Sequence, residues 1–163
     1  MKKAFFLSFL VAAVLGAAWH FLYHVLPCPL TAVLSPVNES VWEHLKLLYF
    51  PPLVVGFAMS FRWRQAQRRF WSAMAAALLF MPAVLLGSFY ALTAGFGVEV
   101  SLAFDIVLYY IALALGWILL YRLSRSGTAE AFFGPLLIGA GALGVALVVF
   151  TIAAPSLPIF ISA

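Results

Sequence analysis

The sequence predicts an all-α membrane protein, a single bundle of five transmembrane helices, and two observations support this fold class. Of the 163 residues, 66% are hydrophobic and only 9% are charged, whereas soluble domains carry about 25% charged residues. The apolar residues fall into five runs, each near the roughly 20 residues that an α-helix needs to cross a bilayer. These runs leave no room for a soluble domain, so we expect one transmembrane domain over residues 1–163.

Prolines, basic residues and glycines separate the predicted spans. The spans are residues 4–26, 36–61, 70–92, 101–121 and 132–153. The first resembles a signal peptide, but its apolar run is too long for one, so we expect it to be retained as a helix. Ser35 and Pro36 are expected to begin the second span as N-cap and first helical residue. Pro51 and Pro52 are expected to bend or break it, because proline removes a backbone donor.

The positions of Lys and Arg predict the orientation of the chain. With five spans, eight of the nine fall on one side of the membrane: Lys2, Lys3, Arg62, Arg64, Arg68, Arg69, Arg122 and Arg125. Loops rich in Lys and Arg stay in the cytoplasm, so we expect a multi-pass protein of the cell membrane with its N-terminus inside and its C-terminus outside. The net charge of +4 thus reflects topology. We expect membrane lipid as a partner and no nucleic acid.

The ninth cation, Lys46, lies within the second span, in a stretch dense in ionisable groups. On a helix, Glu39, Glu43 and Lys46 share one face. Ser40 and His44, four residues apart, share the neighbouring face. Ionisable groups in a membrane are costly, so a function is the first hypothesis for them.

Three further ionisable residues are predicted at the same depth. His20 and His24 lie four residues apart near the outer end of the first span, and Asp105 lies one turn into the fourth span. Neutral histidines and carboxylates are typical zinc ligands, and two histidines four apart on a helix can chelate one ion. The sequence leaves two alternatives open: interfacial histidines, and a buried Glu and Lys network that fixes helix register.

One resemblance rests on the stretch around these residues. HFLYH at 20–24 and SPVNESVWEHLK at 35–46 are similar to the signature of a family of small bacterial integral membrane proteins of unknown function. The resemblance implies a membrane topology in the bacterial inner membrane. It implies no activity.

A second resemblance concerns the metal-site elements. Ser40-x-x-x-His44, His20-x-x-x-His24 and Asp105 resemble those of the alkaline ceramidase and adiponectin receptor superfamily. Those proteins have seven helices and a three-histidine zinc with an aspartate nearby. By motif analogy, the resemblance implies His20, His24 and His44 as zinc ligands, with Ser40 and Asp105 holding a ligand or a water.

Two functional hypotheses follow. The first is a metal-dependent intramembrane hydrolase of a lipid-like amide or ester. In it, zinc is bound by His20, His24 and His44, the general base is Glu43, Glu39 or Asp105, and Lys46 stabilises developing negative charge. The second is a non-enzymatic membrane subunit or carrier whose Glu, His and Lys form an ion-pair or proton-responsive network. Bis-histidine haem ligation is disfavoured, because the histidine-bearing spans show little of the glycine spacing that makes room for the ring.

Reporter fusions test the predicted orientation. A phosphatase that is active only on the outer face should be active when fused after Ala163 and inactive when inserted at Gln65, because the arginine-rich loop stays in the cytoplasm. A fluorescent protein that matures only in the cytoplasm serves as the complementary reporter at both positions. The opposite pattern would place the ionisable residues in the inner leaflet.

Overall fold

The computed structural model describes residues 2–161 and is an all-helical bundle. Its helices are α1 (Lys2–His20), α2 (Leu22–Val25), α3 (Pro29–Leu34), α4 (Val41–Ser60), α5 (Gln67–Tyr90), α6 (Leu102–Ser126) and α7 (Phe133–Ile152). Short helical turns extend α4 through Phe61–Trp63, α5 through Ala91–Gly95 and α7 backwards through Thr128–Phe132, and a last turn covers Pro158–Phe160. Within these residues, α1, α4, α5, α6 and α7 are long and apolar enough to cross a membrane. The prediction of an all-α chain with five such helices is confirmed.

The second membrane-length helix begins five residues later than predicted. Ser35 has an extended backbone and ends α3, because it precedes Pro36 and its N–H donates to the carbonyl of Thr31 at 2.8 Å. Ser40 is the N-cap instead, and its hydroxyl accepts the N–H of Glu43 at 3.3 Å. The predicted start at Pro36 is therefore wrong, and residues 35–40 form a loop.

Helix α4 contains two prolines and is not broken by them. Pro51 and Pro52 are buried, and the helix is continuous from Val41 to Ser60. The predicted break is therefore absent from α4 as the structure describes it, while the bend that was the other expected outcome stays a prediction. Neighbouring helices stabilise it, since α4 packs against α1, α5 and α7.

The first predicted span is divided near its end. α1 ends at His20, Phe21 forms a turn, and α2 ends at Val25, two residues before Pro27. The N–H of Phe21 bonds the carbonyl of Ala18 at 3.2 Å, a tighter spacing than in an α-helix. His20 is thus the last residue of its helix.

Helix α5 lies at the centre of the bundle and packs against α4, α6 and α7. Its inward face is built of alanines and methionines, among them the fully buried Ala73, Met74, Ala77 and Met81. Glycines on the facing helices make room for the methionines: Gly56 of α4 meets Met74, and Gly116 of α6 meets Met81. Small residues of this kind let membrane helices approach closely.

This packing predicts unequal effects for two glycine substitutions. Gly116→Val should destabilise the bundle by about 1–3 kcal/mol, because a side chain there would collide with Met81. Gly141→Val is the matched control, since that glycine is exposed on α7 with nothing near the position of a Cβ atom. Thermal unfolding in mild detergent measures both. Equal melting temperatures would contradict the close α5–α6 packing.

Candidate metal centre

A buried ion pair holds the loop that joins α3 to α4. Nζ of Lys46 lies 2.6 Å from Oε2 of Glu43, and the two side chains are 0% and 3% exposed. The same ammonium donates to the carbonyls of Ala32, at 2.8 Å, and Ser35, at 3.2 Å. Carbonyls at the end of a helix lack partners within it. Lys46 therefore ties the end of α3 to the first turns of α4.

The carboxylate of Glu43 anchors the other side of the loop. Its Oε2 accepts the backbone N–H of Val37 at 3.0 Å. Its Oε1 lies 3.3 Å from the hydroxyl of Thr151, from α7, whose one proton is shared between this oxygen and the carbonyl of Leu147 at 2.8 Å. Both carboxylate oxygens thus have a polar neighbour within the protein. The contacts at Ser35 and Val37 fix the backbone just before Glu39 and so position that residue.

The side chain of Glu39 extends from this loop towards His20 and His44. Its Oε2 lies 3.3 Å from Nε2 of His44 and 3.7 Å from Nε2 of His20, and the two imidazole centroids are 5.4 Å apart. The histidines are mostly buried, at 24% and 22% exposure, while Glu39 is 60% exposed. One ligand atom from each residue lies within 4.8 Å of the others, so this group could hold a metal ion.

The neighbouring backbone orients both histidine-bearing helix ends. Nδ1 of His44 lies 2.9 Å from the carbonyl oxygen of Ser40. A carbonyl only accepts, so Nδ1 carries a proton and donates it, which leaves Nε2 free to bind. On the other side, Nε1 of Trp19 donates to the carbonyl of Leu34 at 2.9 Å and ties the end of α1 to the end of α3.

The close approach of the Glu39 carboxylate to the Nε2 atoms of His20 and His44 requires a positive charge between them. An unprotonated Nε2 and a carboxylate oxygen both present lone pairs and repel each other at 3.3 Å. Either a proton on the imidazole or a metal ion removes that repulsion. The arrangement therefore fits two states, a protonated histidine paired with Glu39 and a metal ion shared by the three side chains.

Asp105 lies across a small cavity from this cluster. It is half-buried in the first turn of α6, and it lines a cavity of about 40 Å³ together with Glu39, His44 and Tyr109. The remaining lining residues are apolar: Val41, Leu85, Phe89, Val100 and Leu108. A cavity that contains at least about 10–15 Å³ of such volume and several polar groups can hold a water molecule.

The structure keeps the other predicted site residues apart from the cluster. His24 belongs to α2, is exposed, and is not in the group of three with His20 and His44. Glu43 and Lys46 pair with each other, and the Ser40 hydroxyl caps α4. The exposed loop residue Glu39 is the third member of the group, because the late start of α4 frees it from the helix.

The fold and this cluster together define a class: a polytopic helical membrane protein with a candidate metal centre at one end of its bundle. The chain belongs to the family described as "Family of unknown function (DUF6512)", whose model matches residues 1–163. No curated protein and no solved structure matches it. The expectation of an uncharacterised family is confirmed, while the analogy to the ceramidase and adiponectin receptor superfamily stays a prediction.

The buried pair predicts a non-additive response to substitution. Lys46→Met should destabilise the protein by about 3–5 kcal/mol, because it leaves the Glu43 carboxylate buried without its cation. Adding Glu43→Gln should recover a large part of this loss. Thermal unfolding of the two single variants and the double variant gives the coupling. Arg122→Met, at an exposed cation, is the control, and additive effects would show that the pair contributes no coupling.

Proposed function

We propose that this protein is a metal-dependent membrane hydrolase that cleaves an amide or ester of a lipid-like substrate, with zinc bound by His20, Glu39 and His44. The observation that carries the proposal is the orientation of His44, whose Nδ1 is anchored on the Ser40 carbonyl and whose Nε2 faces Glu39. Zinc-binding histidines typically donate their second ring nitrogen in this way. Two histidines and one glutamate form a known catalytic zinc set, which leaves a fourth position open.

The distances in the cluster support this ligand set. Zinc binds nitrogen and oxygen at about 2.0–2.2 Å in a tetrahedron, so neighbouring ligand atoms lie about 3.3–3.5 Å apart. The separations from Glu39 to His44 and to His20 are 3.3 Å and 3.7 Å. The ligand atoms of the two histidines lie within 4.8 Å of each other. In this ligand set Glu39 replaces His24, which the first functional hypothesis assigns as the third zinc ligand.

The residues around the cluster supply the remaining groups for hydrolysis. A bound zinc ion polarises a substrate carbonyl and lowers the pKa of a bound water to about 7. Asp105, across the cavity, would accept a proton from a water held at the centre as the water oxygen bonds to the carbonyl carbon. It would then give the proton to the leaving nitrogen or oxygen as the carbon–heteroatom bond breaks, so the overall change would be addition of one water.

The surroundings of the cavity favour a lipid-like substrate. Apolar side chains make up the rest of its lining, and its small volume suits the scissile group alone. The acyl part then lies among the hydrocarbon chains of the membrane. The eight predicted cytoplasmic cations belong to the opposite ends of these helices, so we place the site in the outer leaflet.

A proton-responsive network is the second candidate, and one observation favours it. The distances of 3.3 Å and 3.7 Å also fit ion pairs between Glu39 and protonated histidines. In that case the protein acts as a non-enzymatic subunit or carrier that responds to proton concentration. It needs no metal, so metal content separates the two candidates.

Elemental analysis of the purified protein tests the metal site. The parent protein, grown with zinc and purified in mild detergent, should hold about one zinc ion per chain, and His20→Ala, His44→Ala and Glu39→Ala should each lower zinc affinity at least about tenfold. His24→Ala is the matched control and should keep the zinc. A zinc-free parent, or three variants that retain zinc, would favour the proton-responsive network.

A second variant tests the role of Asp105. Asp105→Asn should keep zinc but slow hydrolysis of a p-nitrophenyl acyl ester about 100-fold or more, since a general base typically contributes this much. The measurement is the initial rate of ester hydrolysis, compared between the parent and the variant at equal zinc content. An unchanged rate would remove Asp105 from the proposed reaction.

A further inference from the structure

The hydroxyl of Tyr109 is buried and has no hydrogen-bond partner among residues 2–161. A buried polar group without a partner costs about 1–3 kcal/mol. Such a group is rare in a native protein and calls for an explanation, such as a ligand that is bound during function. The cost would vanish if a ligand oxygen accepted the hydrogen bond.

The position of Tyr109 relates it to the proposed centre. It lies one turn beyond Asp105 on α6 and lines the same cavity as Asp105, Glu39 and His44. Its hydroxyl occupies the space where Gly16 of α1 would carry a Cβ atom.

The residues around Gly16 show how far along the helices the Tyr109 hydroxyl lies from the two histidines. Gly16 is one turn before His20, and the nearby carbonyl of Leu47 belongs to a residue three positions after His44. The Tyr109 hydroxyl therefore lies between α1 and α4, about one turn below the two histidines. A glycine in α1 makes room for it there.

We infer that the Tyr109 hydroxyl donates a hydrogen bond to an oxygen ligand in the open position of the centre, a carbonyl or the oxyanion that forms from it. This inference rests on the proposed function. A donor fixed before the reaction, in a site with few waters, stabilises negative charge that develops on such an oxygen. The ligand class is thus an acyl compound whose carbonyl oxygen points towards the Tyr109 hydroxyl, between α1 and α4.

One protein acceptor competes for this hydroxyl. Pro51 has no N–H, so the carbonyl of Leu47 lacks its usual partner four residues later. That carbonyl lies 3.7 Å from the position of a Cβ atom on Gly16. If the hydroxyl served this carbonyl, its role would be structural, and its removal would lower stability without changing ligand affinity.

Cobalt-loaded protein separates these roles without a known substrate. Co²⁺ replaces zinc and reports its surroundings through visible absorption, and acetohydroxamate is the probe, because it places two oxygens on the metal. Tyr109→Phe should weaken acetohydroxamate binding about tenfold and leave Co²⁺ affinity within about twofold. Tyr110→Phe is the matched control, since that neighbouring tyrosine is 38% exposed, and should change neither value.

The outcomes distinguish this inference from the function on which it rests. If the parent binds no Co²⁺, the metal centre and the role of Tyr109 are both overturned. If Co²⁺ binds and Tyr109→Phe leaves acetohydroxamate affinity unchanged, only the role of Tyr109 is overturned. A lower melting temperature in that case would assign the hydroxyl to the Leu47 carbonyl.

Discussion

The ion pair between Lys46 and Glu43 is the interaction on which the candidate site depends. Burying both charges costs several kcal/mol per ion, and only close pairing with further hydrogen bonds offsets that cost. Here the cation also binds two carbonyls at the end of α3, and the carboxylate accepts the N–H of Val37 and lies against the hydroxyl of Thr151. A pair with this many partners sets the position of loop 35–40, and the loop carries Glu39. Glu43 and Lys46, which the sequence predicts as catalytic groups, thus have a structural role that explains why both charges are buried.

Much of the fold could be predicted from the sequence, because a membrane-length helix needs only a long apolar run. The ends of the helices were harder to predict. Ser35 followed by Pro36 and Ser40 followed three residues later by Glu43 are both helix-start patterns, and the structure uses the second. The choice depends on tertiary contacts of α3 and of Lys46, which a local pattern does not contain.

The same choice explains how far the candidate site could be predicted. The density of ionisable residues in one stretch indicated the region where the structure brings Glu39 close to His44, with His20 beside them. Helical spacing put Glu39 on a face with Glu43, whereas the loop turns it towards the histidines. Tyr109 carried no signal at all, because a tyrosine in a membrane span is ordinary. Only its missing partner and the nearby glycine distinguish it.

The contact between Thr151 and Glu43 has a consequence for how the protein is made. Thr151 lies at the end of α7, 108 residues after Glu43, so the ribosome has synthesised α4, α5, α6 and nearly all of α7 before this contact can form. Until then one oxygen of the buried carboxylate lacks its contact with Thr151, and the loop beside the histidines is incompletely anchored. A helix that is synthesised well after α1 and α4 therefore completes the support of residues contributed by those two helices and by the loop that precedes α4. An unfinished chain would carry the histidines and Glu39 without the full set of contacts that orders them.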